Sequence, residues 1–192
     1  MSSEYIRLRP CRLRDINSLV EIYHEGFRHE LAFFFKKFRE DFFEALFCLL
    51  IKDSIVAESR CDLVGFVTIV LGLRPLMNIK TFQLILKLPM LLASAKLHFF
   101  IYMLQKLRNT DWSESLAGIA CIAVRTAWRG KGIGGALMRE ALARYPERDA
   151  ILDVRLWNES AIRLYTSVGF IRTGAWRDTL GQWVVMRRPK PS

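Results

Sequence analysis

The composition of this 192-residue chain is that of a folded protein with one hydrophobic core, so we expect a single domain over residues 1–192. Hydrophobic residues make up 52% and charged residues 25% of the sequence, which excludes an intrinsically disordered protein. The formal net charge of +10 favours an anionic partner. Charge alone does not distinguish a nucleotide cofactor, a nucleic acid and an acidic lipid surface.

The sequence lacks the patterns of a secreted, membrane-spanning or zinc-binding protein. Its N-terminal residues are charged and hold no apolar core of a signal peptide. The longest apolar run, from Leu63 to Leu73, is too short to cross a bilayer as a helix. The four cysteines form no C-x-x-C pair and the three histidines are scattered. We therefore expect free thiols, no metal and a cytoplasmic location.

Hydrophobic spacing predicts strands and helices in the N-terminal half of the chain. In order, they are a strand at residues 5–9, a helix at 15–25, a phenylalanine-rich helix at about 36–52, and a β-hairpin at 55–58 and 63–70. We interpret the aromatic stripe of the second helix as core packing.

The C-terminal half alternates buried strands with capped helices. The predicted elements are strands at 116–124 and 150–154, helices at 132–145 and 158–168, and a closing pair of strands at 170–176 and 183–187. Gly169 is a good C-terminal cap for the helix at 158–168. This order predicts an α/β fold, a mixed twisted sheet of about six to seven strands with helices on both faces.

A glycine-rich turn joins the strand that ends at Val124 to the following helix. Its glycines lack the Cβ atoms that would keep a ligand away from the backbone. The exposed amides and the positive dipole end of the helix suit a diphosphate. Arg129 and Lys131 add cationic charge, and the glycines are Gly130, Gly132, Gly134 and Gly135.

Two common phosphate-binding patterns fit this turn poorly. A Walker turn needs Ser or Thr after the Gly-Lys pair, whereas Gly132 follows Lys131. The dinucleotide fingerprint G-x-G-x-x-G matches formally, and Asp153 follows at a suitable distance. That fold turns directly from strand to glycine, however, and here five residues intervene between Val124 and Gly130.

A third pattern, [RQ]-x-x-G-x-[GA], fits the turn, and an independent second motif follows it on the expected strand and helix. The matching positions are Arg129, Gly132 and Gly134 in the turn, and Asn158, Ala161, Tyr165, Gly169 and Phe170 after it. Together they resemble the GNAT superfamily of N-acetyltransferases, which has the acyl-CoA N-acyltransferase fold. The close resemblance covers about residues 116–188, and the first half matches only in its order of elements.

The resemblance implies that acetyl-CoA, or another acyl-CoA, is the co-substrate. The strands at 119–124 and 151–154 should part, so that the pantetheine arm pairs with backbone groups of the first strand while the turn holds the diphosphate. The cofactor-binding residues it implies are Ile122, Ala123, Val124, Arg129, Gly130, Lys131, Gly132, Ile133, Gly134, Gly135, Asn158 and Tyr165. Asn158 has a second interpretation, as the N-cap of its own helix.

For the chemistry, the resemblance implies direct attack of a neutral amine on the thioester. Tyr165 would then donate a proton to the leaving thiolate, although a core tyrosine is the alternative. Many relatives carry a glutamate base where this chain has Gly118. We take Glu114 as the candidate base, with Asp111, a water chain, His24 and His29 as alternatives.

An apolar insert at about residues 74–110 separates the hairpin from the central strand. Residues 63–110 contain no Asp or Glu but several Lys and Arg. Helices that are apolar on more than one face need a partner. These helices could form an extra layer on the core, a homodimer interface or a lid over a hydrophobic acceptor, or they could lie on the surface of an anionic membrane.

These observations favour an N-acyltransferase that acts on a small-molecule or lipid-linked amine. A non-catalytic acyl-CoA sensor and a dinucleotide-dependent oxidoreductase are the alternatives. No nucleic-acid-binding motif accompanies the basic charge, so we expect no nucleic-acid partner. Contact with the inner membrane surface would be peripheral.

Overall fold

The computed structural model describes residues 5–28, 44, 46–48, 50–60, 62–71, 113, 115–178 and 180–191. In the N-terminal half these residues form strand β1 (Arg7–Pro10), helix α1 (Ile16–Gly26), and a hairpin of β2 (Ser54–Ser59) and β3 (Asp62–Leu71). Residues 44, 46–48 and 50 of the predicted second helix are helical. The rest of that helix and the predicted insert at 74–110 lie outside the described residues.

The C-terminal half alternates strands and helices as the sequence predicts. In chain order its elements are β4 (Ala117–Val124), α2 (Ile133–Ala143), β5 (Ala150–Arg155), α3 (Glu159–Ser167), β6 (Ile171–Asp178) and β7 (Gly181–Arg188). The seven strands form one sheet in the order β1-β2-β3-β4-β5-β7-β6. Neighbouring strands are antiparallel except β4 and β5, which are parallel. The predicted fold class is confirmed.

Helices cover both faces of this sheet because alternate strand residues point to opposite sides. In β2, Ile55 and Ala57 join the core cluster that contains residues of α2 and α3, whereas Val56 joins the cluster that contains α1. Helix α1 contributes the buried residues Ile16, Leu19, Val20 and Ile22. The central strands β3 and β4 are therefore enclosed between α1 and α2, and their ends frame the site.

A buried ion cluster links β1, the residue before α1, and β2. The Arg9 guanidinium donates to both carboxylate oxygens of Asp15, at 2.7 and 3.0 Å, and to Glu58 Oε2 at 2.9 Å. The Arg12 amide also donates to Asp15. Burial by itself raises the pKa of Asp15, but these hydrogen bonds outweigh burial and leave the pKa below its ordinary value.

We expect Asp15→Asn to destabilise the protein by about 3 kcal/mol at neutral pH, because Arg9 loses a buried partner. Since the folded-state pKa is depressed, this stabilisation is present above the ordinary aspartate pKa of about 3.9 and is lost as pH falls through the lower folded value. Urea unfolding at neutral pH and at pH ~3 should therefore show the stabilities of the wild type and Asp15→Asn converging in acid. The exposed Asp62→Asn variant is the control, and a constant gap between wild type and Asp15→Asn would contradict the assignment.

Candidate active site

The two parallel central strands part after two residues. Strand β4 pairs with β5 only at Ala117 opposite Ala150 and Gly118 opposite Ile151, although both strands are described throughout. Each strand keeps its outer neighbour to the end, with Val124 opposite Gly65 in β3 and Arg155 opposite Trp183 in β7. A gap therefore opens toward the carboxyl ends of β4 and β5, as the resemblance implies.

A β-bulge marks the place where β4 leaves β5. Thr68 of β3 lies opposite Cys121, but the next residue, Ile69, lies opposite Ile119, so Ala120 is an extra residue in β4. A bulge bends its strand and increases the local twist. We infer that the bulge turns the carboxyl half of β4 away from β5.

The glycine-rich turn begins at the open end of this gap. A short 3-10 turn, Thr126–Trp128, follows β4, and the Arg129 side chain donates from Nε to the carbonyl of Val124 at 3.0 Å. Within α2, the Ala136 amide donates to the Gly132 carbonyl at 3.0 Å. The amides of residues 133–135 precede this bond and have no acceptor within the helix, as in the first turn of any α-helix. They are suitably placed to bind an anion.

Gly132, with a φ of 80°, forms the left-handed N-cap of α2. A Cβ there would meet nothing within 4 Å, so only backbone strain opposes a side chain. We expect Gly132→Ala to lower the free energy of unfolding by about 1 kcal/mol. Gly135→Ala should instead stabilise α2 by up to about 1 kcal/mol, because Gly135 is helical and a Cβ there would meet only the mobile end of Arg139. Thermal unfolding checks the opposite signs, and equal shifts would contradict the strain at Gly132.

The two predicted cations of the turn have different environments. Arg129 is partly committed to the Val124 carbonyl. The exposed Lys131 places its Nζ 4.3 Å from the centre of the Trp128 ring, a cation–π distance. Lys131 is therefore held beside the turn while its charge remains accessible to an anion.

Asn158 serves as the N-cap of α3. Its Oδ1 accepts hydrogen bonds from the Ala161 amide at 3.2 Å and from the Ser160 hydroxyl at 3.0 Å. The N-cap interpretation is thus observed. The predicted contact of Asn158 with the cofactor stays a prediction.

Tyr165 lies in α3 with its ring in the hydrophobic core. The residue is 7% exposed, and its ring centre is 6.0 Å from that of Phe170. The ring therefore packs as a core tyrosine does, on the face of the sheet that carries α2 and α3. Its role as proton donor stays a prediction.

The candidate bases are spread over the chain. Glu114, Asp111 and His29 lie outside the described residues. His24 lies in the last turn of α1 and is half-buried. Gly118, the position at which the resemblance implies a glutamate base in many relatives, is the last β4 residue paired with β5. The position of the missing carboxylate is therefore the closed end of the gap.

A separate cleft of about 730 Å³ lies on the α1 side of the glycine-rich turn. Its lining includes Arg9, Glu21, Glu58, Arg125 and Trp128, and no residue of β5 or α3. This cleft is therefore distinct from the gap between β4 and β5. The sequence carried no signal for it, because the lining comes from segments that are distant along the chain.

The part of the chain that the structure describes offers neither a metal cluster nor a membrane-spanning helix. There, no three His, Cys, Asp or Glu side chains are grouped so that they could hold a metal ion. No described helix is long and apolar enough to cross a membrane.

A mixed sheet whose parallel central strands part beside a glycine-rich helix N-terminus defines the class of acyl-CoA N-acyltransferase folds. The sequence model of the Acetyltransferase (GNAT) family matches residues 16–170, so the chain belongs to this family. A crystal structure of an N-acetyltransferase from Staphylococcus aureus is similar with a TM-score of 0.75 and 20% identity, covering 94% of this chain and 99% of that one. At that identity the likeness supports the fold alone.

Curated relatives match short segments of this chain. N-alpha-acetyltransferase RimI of Mycobacterium tuberculosis is 45% identical over 56 residues, which is 29% of this chain and 35% of the relative. N-alpha-acetyltransferase 30 of Xenopus laevis is 39% identical over 57 residues, which is 28% of this chain and 21% of the relative. The chain thus spans about a third or less of the length of the curated relatives it matches.

Proposed function

We propose that this protein is an acyl-CoA-dependent N-acetyltransferase that binds acetyl-CoA in the gap between β4 and β5. The observation that carries the proposal is the end of β4–β5 pairing at Gly118 and Ile151, beside the amides at the start of α2 that have no acceptor within the helix. The freed backbone edge of β4 suits an amide-containing pantetheine arm, and the helix start suits a diphosphate. The excess of positive charge favours the same anionic ligand.

In the proposed reaction, the lone pair of a neutral amine attacks the thioester carbonyl carbon and forms the C–N bond. The C–S bond then breaks, and the Tyr165 hydroxyl donates its proton to the departing thiolate. The ammonium proton passes to a base. A backbone N–H of β4 would stabilise the carbonyl oxygen as it gains negative charge.

The acceptor we propose is a primary amine. Two relatives are named N-alpha-acetyltransferases, which supports an α-amino group. The apolar surroundings expected from the sequence of residues 27–38 and 74–110 instead favour a small hydrophobic or lipid-linked amine. A panel of peptide, small-molecule and lipid-linked amines separates these acceptors.

Calorimetry with acetyl-CoA and a free-thiol assay for coenzyme A release test the proposal together. We expect heat on acetyl-CoA binding, and thiol release that depends on added amine and leaves an acetylated product by mass spectrometry. Binding without amine-dependent release would favour a non-catalytic acyl-CoA sensor. Binding of a nicotinamide dinucleotide without coenzyme A binding would favour the oxidoreductase.

We propose Glu114 as the base on its sequence position. A Glu114→Gln variant should lose turnover with acetyl-CoA affinity retained, and His24→Gln is the parallel variant for the main alternative. Full activity of Glu114→Gln across the pH range would exclude Glu114 from this role.

A further inference from the structure

The last turn of α1 lies directly against the carboxyl half of β4. A Cβ added at Gly26 would lie 2.9 Å from the Cβ of Ala123, a distance too short for any side chain there. Ala123 is two residues before Arg125, where the chain leaves the sheet for the glycine-rich turn. The end of α1 and the start of this turn are therefore held at close range.

Glu25, in this last turn of α1, accepts a hydrogen bond from the backbone amide of Thr126. Its other carboxylate oxygen lies 3.8 Å from Arg125 Nη1. Hydrogen bonding from Thr126, assisted by the charge of Arg125, holds the pKa of Glu25 below its ordinary value. Glu25 is thus a carboxylate at neutral pH and makes a charge-assisted bond to the backbone.

Thr126 is the first residue of the 3-10 turn between β4 and the glycines. The same stretch is held from the sheet side, because the Arg125 amide donates to the Val64 carbonyl at 2.8 Å and Arg125 Nε donates to the Leu63 carbonyl at 2.9 Å. Within the turn, the Arg129 amide donates to the Thr126 carbonyl at 3.2 Å. The Glu25 bond and these further bonds therefore hold the stretch from Arg125 to Arg129, which directly precedes Gly130.

We propose that Glu25 is a positioning residue for the diphosphate turn, holding the backbone at Thr126 so that the amides at the start of α2 are ordered before acetyl-CoA arrives. This inference rests on the proposed function. Without the bond, the turn must be ordered by the ligand, and that entropic cost weakens binding. The cost applies only to a ligand that contacts the turn. In acetyl-CoA, the part that would contact the turn is the diphosphate.

The test compares acetyl-CoA with S-acetylpantetheine, which carries the same thioester without the diphosphate. For Glu25→Ala we expect kcat/KM for acetyl-CoA to fall about tenfold, through KM with little change in kcat, as the loss of one charge-assisted bond predicts. The value for S-acetylpantetheine should change by less than about twofold. Glu25→Gln keeps an oxygen acceptor for the Thr126 amide and should restore most of the acetyl-CoA value.

Glu21→Ala is the matched control. Glu21 lies one helical turn earlier and accepts from Arg125 Nη2 at 2.8 Å. The Glu21→Ala substitution therefore removes a carboxylate partner of Arg125 and keeps the bond between Glu25 and Thr126. We expect its kcat/KM for acetyl-CoA to stay within about twofold of wild type, since exposed ion pairs contribute little.

Thr126→Pro removes the backbone amide that donates to Glu25. Arg125 has an extended backbone, with φ −51° and ψ 139°, which suits the residue before a proline, and a first helical position tolerates proline. This variant should reproduce the effect of Glu25→Ala, and the double variant should be no worse than either single one. Parallel losses for both thioesters, or an equal loss in Glu21→Ala, would overturn the inference. Failure of the wild type to bind acetyl-CoA would instead refute the proposed function and this inference with it.

Discussion

Replacing Tyr165 with phenylalanine is expected to lower kcat by about two orders of magnitude while acetyl-CoA affinity stays nearly constant. The hydroxyl is the atom group that the proposed reaction uses, because a thiolate that leaves without a proton is a poorer leaving group. The ring itself packs in the core beside Phe170, and phenylalanine preserves that packing. Steady-state kinetics and calorimetry on the same preparation separate the two quantities.

Tyr145→Phe is the control for this experiment, since Tyr145 is half-buried two residues after α2 and also packs against the main core cluster. Its kcat should equal that of the wild type. A Tyr165→Phe variant with full turnover would remove Tyr165 from the mechanism. A variant with a strongly lowered unfolding temperature would show that the hydroxyl has a structural role.

The second large effect is on stability. Asp178→Ala should destabilise the protein by about 3 to 5 kcal/mol, because it leaves the Arg155 charge buried without its partner. Both side chains are 2% exposed, and Arg155 donates from Nη1 and Nη2 to the two carboxylate oxygens at 2.7 and 2.9 Å. Asp178 also accepts from Trp183 Nε1 and from the Leu180 amide, each at 2.8 Å. The bonds outweigh the effect of burial, which alone raises the pKa of Asp178, so that its pKa lies below the ordinary value.

Chemical unfolding of three variants checks this prediction. Asp149→Ala removes a surface partner of Arg187, in a pair that is 25% and 44% exposed, and should cost less than about 1 kcal/mol. A double variant, Arg155→Met with Asp178→Leu, should be more stable than Asp178→Ala because no unpaired charge remains. Equal losses in Asp149→Ala and Asp178→Ala would contradict the assignment.

The ion pair between Arg155 and Asp178 also explains why β6 ends later than the sequence predicts. The predicted strand at 170–176 extends in the structure to Asp178, whose carboxylate reaches Arg155 at the end of β5. The Leu156 amide donates to the Gln182 carbonyl at 2.9 Å in the same region. The closing hairpin is thus fastened to the carboxyl end of β5, and this contact between distant segments lengthens the strand beyond its local hydrophobic pattern.

Most element boundaries were predictable to within a few residues because hydrophobic periodicity and caps are local properties. Helix α3 begins after Asn158 and ends before Gly169, whose φ of 94° suits only glycine well. The strand at the N-terminus begins at Arg7 instead of Tyr5, which is 78% exposed. The alternating pattern that predicted this strand includes Tyr5 and Ile6, whereas pairing with β2 begins only at Arg7, opposite Glu58.

The sequence by itself determined the order of the elements and the glycine-rich opening of α2, since backbone freedom, helix caps and the spacing of apolar residues depend on near neighbours. Only the tertiary structure decided that β7 lies between β5 and β6, that a bulge at Ala120 accompanies the parting of β4 from β5, and that Glu25 bonds to Thr126. Those features join segments that are far apart along the chain, 101 residues in the case of Glu25 and Thr126. Their register depends on how whole layers pack, and no local pattern carries that information.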